Sequence, residues 1–81
     1  MLANDLKKGD VVRITGTGWR ATIEDNKKGV IRMARVEGIA TETGSIYIHD
    51  IAYMEHPDGP EPIEYTRAQA KQIAAIKRMG F

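Results

Sequence analysis

The residues with the most chemical potential in this 81-residue chain form the run Ser45-Ile46-Tyr47-Ile48-His49-Asp50. Side chains two apart on a β-strand emerge on the same face, so Ser45, Tyr47 and His49 would form a polar, aromatic stripe. A stripe of this kind can stack against a flat ligand and hydrogen-bond its edges. The same residues also suit the solvent-facing side of an ordinary strand, and the sequence leaves both interpretations open.

Catalytic chemistry finds little support in the same run. His49 beside Asp50 suggests an oriented base, but neighbouring strand residues point to opposite faces of a sheet. The chain has no cysteine, and no serine lies in a hydrolase-like motif. Two histidines, His49 and His56, fall short of the three or four ligands that zinc requires. We therefore predict no catalytic residues, no metal and no cofactor.

Trp19 is the only tryptophan and could be an exposed stacking platform. It alternates with Ala21 and Ile23, which predicts burial in the core or in a subunit contact instead. We keep it as a member of the candidate ligand or interface face. That face comprises Trp19, Ser45, Tyr47, Ile48 and His49.

The elements that must position these residues are short strands separated by glycine-containing turns. Alternating apolar residues predict five strands, at 11–15, 19–24, 30–37, 45–49 and 52–55. A turn is expected at 41–44, and Ile46 and Ile48 are expected to point inward. The third strand is apolar on both sides, so we expect the C-terminal helix or another subunit to cover its outer side. This pattern predicts a mainly β fold that resembles a five-stranded SH3-like barrel over residues 1–55.

A linker and a helix follow the predicted barrel. Residues 56–65 contain three prolines, three acids and neither Lys nor Arg, which indicates an irregular acidic linker. Residues 66–81 contain four bases and no acid, and Thr66 with Gln69 fits a helix-capping box. On this helix a candidate interface side carries Ile73, Ile76 and Met79. The opposite, basic side carries the candidate phosphate contacts Arg67, Lys71 and Arg78.

Size and charge limit the possible functions. A chain of this length builds a thin core, and without cysteine it cannot add a disulfide. Extra burial is therefore expected from a homo-oligomer or a protein partner. A net charge of +1 excludes a strongly basic nucleic-acid coat. No apolar run approaches a membrane span, and no signal peptide is recognisable at 1–8, so we expect a soluble cytoplasmic protein with no membrane partner.

Three short motifs resemble those of a known family, the plasmid-borne type II (trimethoprim-resistant) dihydrofolate reductases. The motifs are Gly9-Asp10-Val11-Val12-Arg13, Trp19-Arg20-Ala21-Thr22-Ile23, and Gly44-Ser45-Ile46-Tyr47-Ile48-His49-Asp50-Ile51. Members of that family are SH3-like barrels that assemble as homotetramers around a central pore. The opening motif and Gly16-Thr17-Gly18-Trp19 also show a weaker resemblance to KOW-type barrels of transcription and ribosomal proteins.

The departures from the reductase pattern concern its ligand site. That family lines its pore with a glutamine and a tyrosine at the positions of Tyr47 and His49, and with a lysine near Ile14 or Thr15. None of these three is kept, whereas Ser45 and Ile48 are. The resemblance implies the fold and an assembly, and under a reductase interpretation NADPH would be the cofactor of a degenerate pore.

The sequence thus favours a small non-enzymatic SH3-like binding module that self-associates or binds a protein partner. Its size and balanced charge suit an accessory protein of a phage or mobile element. Two alternatives stay open: a tetrameric dihydrofolate-reductase-like oxidoreductase, and a nucleic-acid-binding protein that uses the basic helix.

Overall fold

Six antiparallel strands form one sheet in the computed structural model, which describes residues 1–80. Two 3-10 turns and one α-helix complete the chain. The strands are β1 (Val11–Ile14), β2 (Arg20–Ile23), β3 (Ile31–Glu37), β4 (Thr41–Tyr47), β5 (Ile51–His56) and β6 (Gly59–Pro62). The helix is α1 (Arg67–Arg78), and the 3-10 turns span Ala3–Asp5 and Ile48–Asp50. The strand order across the sheet is β4-β3-β2-β1-β5-β6.

The inner face of the sheet carries the main hydrophobic core. Cross-strand pairing places Val12 opposite Ala21, and Ile23 opposite Ala34, so strand alternation directs these four side chains to one side. All four have no accessible surface, and Leu6 covers them from the N-terminal segment. The burial of Ala21 and Ile23 on one face of β2 agrees with the period-two alternation in the sequence.

A second, smaller cluster joins both ends of the chain to the sheet. Ala3, Ile48 and Ile73 pack together, with Ile63 and Tyr65 at its margin. The contact fixes helix α1 against its own chain because Ile73 is only 6% exposed. Ile73, predicted on the interface side of the helix, therefore packs within its own chain.

Arg32 is a buried charge on the inner face of β3. Its side chain has no accessible surface, and its Nε donates to Asp25 Oδ1 at 2.6 Å. Its Nη2 donates to the carbonyl oxygens of Leu6 and Asp25, both at 2.8 Å. Full hydrogen bonding is what makes a buried guanidinium tolerable, so Arg32 ties the N-terminal segment to the sheet.

The structure corrects the prediction of a closed five-stranded barrel. The sheet has six strands, and no pairing within residues 1–80 joins its edges β4 and β6. The sixth strand lies inside the predicted irregular linker. Its prolines are compatible with a strand because β6 lies at the edge of the sheet. A proline there lacks an N–H group, but no further strand needs that group as a donor.

The fourth strand begins four residues earlier than predicted. Thr41–Gly44 pairs continuously with β3, and the turn lies at Gly38-Ile39-Ala40 instead. Threonine is a good strand residue, and Gly44 keeps a negative φ, so neither breaks the ladder. The prediction of a turn here was wrong because Gly44 is a strand glycine.

The C-terminal helix is confirmed, with Thr66 as its N-cap and a complete capping box. Thr66 Oγ1 accepts a hydrogen bond from the backbone N–H of Gln69, and Gln69 Oε1 accepts one from the N–H of Thr66. No helix within residues 1–80 is long and apolar enough to cross a membrane.

Candidate functional site

Tyr47 and His49 lie together at the end of β4. Their ring centroids are 5.0 Å apart and the ring planes differ by 26°, which is a stacked arrangement. The sequence expectation that the two rings share a face therefore holds, although only Tyr47 is on the strand. His49 belongs to the following 3-10 turn, so the turn and not strand alternation positions its ring.

The residue between the two rings anchors them. Ile48 is fully buried in the second cluster, as its predicted inward orientation requires. Its N–H donates to the carbonyl of Val30 at 2.9 Å, and the N–H of Thr15 donates to the carbonyl of Asp50 at 2.7 Å. The 3-10 turn is thus held from both sides, and Ile48 serves the packing and is not part of an exposed ligand face.

One polar atom of this pair lacks a partner. His49 Nδ1 is buried and forms no hydrogen bond with any described residue. A buried polar atom without a partner costs free energy, and such atoms in native proteins are few. The side chain as a whole is half-buried, so the ring can reach the surface beside Tyr47.

Two exposed apolar side chains of β3 extend the site. Ile31 pairs with Tyr47 and Met33 with Ser45 across the β3–β4 ladder, so all four emerge on the outer face. Ile31 is 51% exposed and Met33 is 42% exposed. We call the surface formed by Ile31, Met33, Ser45, Tyr47 and His49 the Tyr47 patch. The expected cover of β3 by the helix is absent here, because α1 packs its Ile73 on the second cluster instead.

The remainder of the outer face carries ion pairs together with uncharged residues such as Thr22, Thr43 and Tyr53. Three ion pairs cross it: Arg13–Glu55, Arg20–Glu37 at 3.6 Å and Arg35–Glu24 at 3.9 Å. Exposed pairs of this kind contribute little stability but keep a sheet face hydrated. Of these three pairs, Arg35–Glu24 lies beside the Tyr47 patch, because the N–H of Glu24 donates to the carbonyl of Met33.

Trp19 is apart from this patch. Of its two predicted forms of burial, the one in the core is wrong, and the one in a subunit contact stays a prediction. Trp19 precedes β2 beside the far end of β3, whereas Tyr47 pairs with the first residue of that strand. Its side chain is 38% exposed and lies against Gly38, where a Cβ atom would come within 2.8 Å of the indole. Trp19 lines a separate cleft of about 250 Å³ with Val36, Ile39 and Glu42.

The helix residues named from the sequence divide into two groups. Ile73 is buried and Ile76 half-buried, whereas Met79 is 72% exposed and lies outside the packed region. Arg67, Lys71 and Arg78 are all exposed. None of these three forms an ion pair with another residue of the described chain.

Two titrating groups near these elements are perturbed. Burial, and then the negative charge of Asp50, raise the pKa of Tyr65 above its ordinary value. Burial also tends to raise the pKa of Asp25, but hydrogen bonds from Met33 N–H, the Arg32 guanidinium and Lys27 N–H outweigh it. The pKa of Asp25 is therefore lowered. Burial and hydrogen bonding within the fold account for both pKa shifts. Within residues 1–80, no three His, Asp or Glu side chains converge as a metal site would require.

Comparison with known proteins identified no relative of this chain. No family model fits the chain, and no curated protein or solved structure is significantly similar to it.

Sequence reasoning missed Arg32 and the exposure of Ile31 and Met33. The signal for Arg32 was its alternation with Ala34 and Val36, which placed it on their side of β3. Nothing in the sequence alone revealed that Asp25 and two carbonyls would meet its guanidinium. The exposure of Ile31 and Met33 depends on where the helix packs, which periodicity does not encode.

Proposed function

We propose that this chain is a small non-enzymatic binding module that acts through the Tyr47 patch, by self-association or by binding a protein partner. The observation that carries the proposal is the exposure of Ile31 and Met33 beside the stacked Tyr47 and His49 rings. Contiguous exposed apolar surface bordered by polar residues is typical of interaction sites. Aromatic residues and methionine are enriched at such sites.

The rigidity of the patch supports this proposal. Its residues lie on two paired strands and on a turn that buried Ile48 anchors. A surface that is already ordered loses little conformational entropy on binding. Of the two faces predicted from the sequence, the helix face is the weaker one because Ile73 is occupied within its own chain.

The SH3-like character of the module is part of this proposal. It is supported by the five strands up to residue 56, which follow one another along the chain as the sequence predicts, with β4 beginning earlier than expected. In this proposal the first five strands form an SH3-like sheet, and the added strand β6 lies at one edge of it. This agrees with the sequence resemblance to SH3-like barrels and with a sheet whose edges do not meet. The phage or mobile-element role is a proposal that rests on sequence character alone.

Native mass and partner capture test the proposed function. We expect light scattering to show a mass that rises with concentration, or affinity capture to recover a defined partner. The double variant Ile31→Ser with Met33→Ser should weaken either association, because it removes apolar area at exposed positions that the core does not need. A matched control is Thr17→Ser, on a turn distant from the patch. A monomer at every concentration together with no recovered partner contradicts the proposal.

A second candidate function is nucleic-acid binding by the basic side of α1. It is favoured by the exposure of Arg67, Lys71 and Arg78 without ion-pair partners among residues 1–80. Contacts from three cations to phosphates predict an affinity that falls steeply with salt concentration. Electrophoretic shifts at low and high salt check this, and a flat salt response removes the candidate. The reductase alternative rests on the sequence resemblance alone.

A further inference from the structure

Strand β4 leaves a full row of backbone hydrogen-bonding groups free. The N–H of Ile48 donates to the carbonyl of Val30, and the N–H of Gly38 donates to that of Ala40. These two bonds show which residue pairs of the β3–β4 ladder are hydrogen-bonded to each other and which are not, because the two kinds of pair alternate along an antiparallel ladder. The residues whose N–H and C=O groups point away from β3 are Thr41, Thr43, Ser45 and Tyr47.

This edge has only one of the features that usually protect an exposed strand, the charged side chain of Glu42, which pairs with Val36 on the inner side of the sheet. Strand β4 is seven residues long, pairs with β3 without a bulge, and contains neither proline nor lysine. The other edge, β6, is four residues long and includes Pro60 and Pro62, which have no N–H to offer. Among the described residues, β4 is thus the edge open to a further strand.

We propose that β4 pairs antiparallel with β4 of a second copy of this chain, about a two-fold axis at Gly44. The proposal rests on the proposed self-association and specifies its mode. This register makes hydrogen-bonded pairs of Thr43 with the partner's Ser45 and of Thr41 with the partner's Tyr47. It joins the two sheets into one of twelve strands and brings the Tyr47 patches to the same side of it.

The charge distribution of β4 supports a second copy of this chain as the partner at the β4 edge. Glu42 is the only charged residue of β4. In this register it lies opposite the partner's Ile46, and the two Glu42 residues are four positions apart along the strands. That is roughly 14 Å, beyond the screening length at physiological salt. No like charges meet, and the strand is complementary to itself.

Geometry at the axis supports the same register. Gly44 would face the partner's Gly44 in a non-hydrogen-bonded pair, the position where strands come closest. No side chain obstructs that approach. Because the prolines of β6 close the other edge, the pairing ends at a dimer and does not propagate into a fibre. A single strand pair buries less than a standard interface, so the dimer is reversible and depends on concentration.

Cysteine cross-linking tests this pairing on a chain that has no cysteine of its own. In Gly44→Cys the two Cα atoms would be about 4.5 Å apart, within the range a disulfide spans. The substitution fits the monomer, because a Cβ at Gly44 meets nothing within 4 Å and its φ is not positive. The matched control is Thr41→Cys on the same strand, whose two copies would be roughly 20 Å apart.

In a glutathione redox buffer, Gly44→Cys is expected to form a covalent dimer at least about tenfold faster than Thr41→Cys. Equal rates for the two variants overturn the strand pairing. Thr43→Lys, which places a charge on the edge, should raise the dimer dissociation constant about tenfold or more. Thr15→Lys, the same change away from β4, should leave that constant unchanged.

Light scattering separates failure of this inference from failure of the proposed function. A dimer that resists Thr43→Lys but is lost in the Ile31→Ser with Met33→Ser variant means association by the patch without strand pairing. That result overturns the β4 pairing and leaves the proposed function standing. A chain that stays monomeric, with Gly44→Cys no faster than its control and no partner captured, overturns both.

Discussion

A buried arginine is the residue on which the N-terminal half of this fold depends. Arg32 has no accessible surface and is satisfied by Asp25 and by carbonyls of the N-terminal segment. Removing one partner of a buried ion pair leaves the other charged and only partly solvated. The core of this small domain thus includes a buried ion pair, which the pattern of apolar residues in the sequence does not reveal.

We expect Asp25→Asn to destabilise the fold by about 2 kcal/mol near neutral pH, because Arg32 keeps its charge and loses its carboxylate. The pKa of Asp25 is lower in the folded state than its ordinary value of 3.8. The folded state therefore binds this proton less readily than the unfolded state, and the stabilisation is present above pH 3.8. It is lost as the pH falls through that value and then through the lower, folded pKa.

Urea unfolding of the wild type and Asp25→Asn across this acid range checks the expectation. The difference between the two unfolding free energies should shrink as the pH falls. A difference that stays constant would show that the carboxylate charge of Asp25 does not contribute.

Gly38 provides a second prediction at the residue scale. A Cβ there would come within 2.8 Å of the indole of Trp19, so Gly38→Ala should displace the ring and cost about 1 kcal/mol. Trp19 is the only tryptophan, so its fluorescence reports the change directly. Gly44→Ala is the matched control, since a Cβ at Gly44 contacts nothing within 4 Å. Identical emission spectra for both variants would contradict the predicted contact.

At the scale of elements, helix α1 is defined by its first turn and by one buried glutamine. Gln69 completes the capping box, and its Nε2 also donates to Asn4 Oδ1 at 2.6 Å. The helix start is thus linked to the N-terminal segment through a side chain that is only 4% exposed. The sequence predicted the box correctly but not the second bond, which joins residues 65 positions apart.

We expect Thr66→Ala to destabilise the protein by about 1 kcal/mol, the usual cost of a lost N-cap. Gln69→Ala should cost more, because it removes the reciprocal bond and leaves Asn4 Oδ1 with only the longer hydrogen bond, at 3.4 Å, from the N–H of Gly29. Thermal unfolding monitored by circular dichroism at the helix band measures both changes. Gln72→Ala, at an exposed position of the same helix, is the control and should stay within about 0.5 kcal/mol of the wild type.

Strand elements show where local sequence and tertiary context diverge. The inward face of β2, with Ala21 and Ile23, followed directly from period-two alternation of apolar residues. Strand β6 was hidden because Gly-Pro-Glu-Pro is a poor strand sequence by propensity. Pairing with β5 at an edge, where two proline nitrogens need no partner, overrides that propensity.

At the scale of the whole molecule, the second cluster unites segments distant in the chain. Ala3, Ile48 and Ile73 bring together the N-terminal turn, the turn that carries His49, and the C-terminal helix. The Tyr47 patch therefore depends on packing of the helix, although no helix residue belongs to it. Loss of this contact should loosen the 3-10 turn before it disturbs the main core.

We expect Ile73→Ala to lower the unfolding free energy by about 2–3 kcal/mol, because it leaves a cavity beneath Ile48. Met79→Ala, an exposed apolar residue of the same helix, should change it by less than about 0.5 kcal/mol. Urea unfolding measures both. Equal effects for the two variants would mean that the helix does not pack through Ile73 as described.

The sequence by itself determined the mainly β class, the inner face of β2 and the capped C-terminal helix. Each of these follows from local periodicity or local hydrogen bonding, which neighbouring residues fix. Only the tertiary structure decided that the sheet stays open, that Arg32 is buried, and that Ile31 and Met33 remain exposed. These features depend on which distant segments meet, and that is set by long-range packing and pairing that no short window of sequence contains.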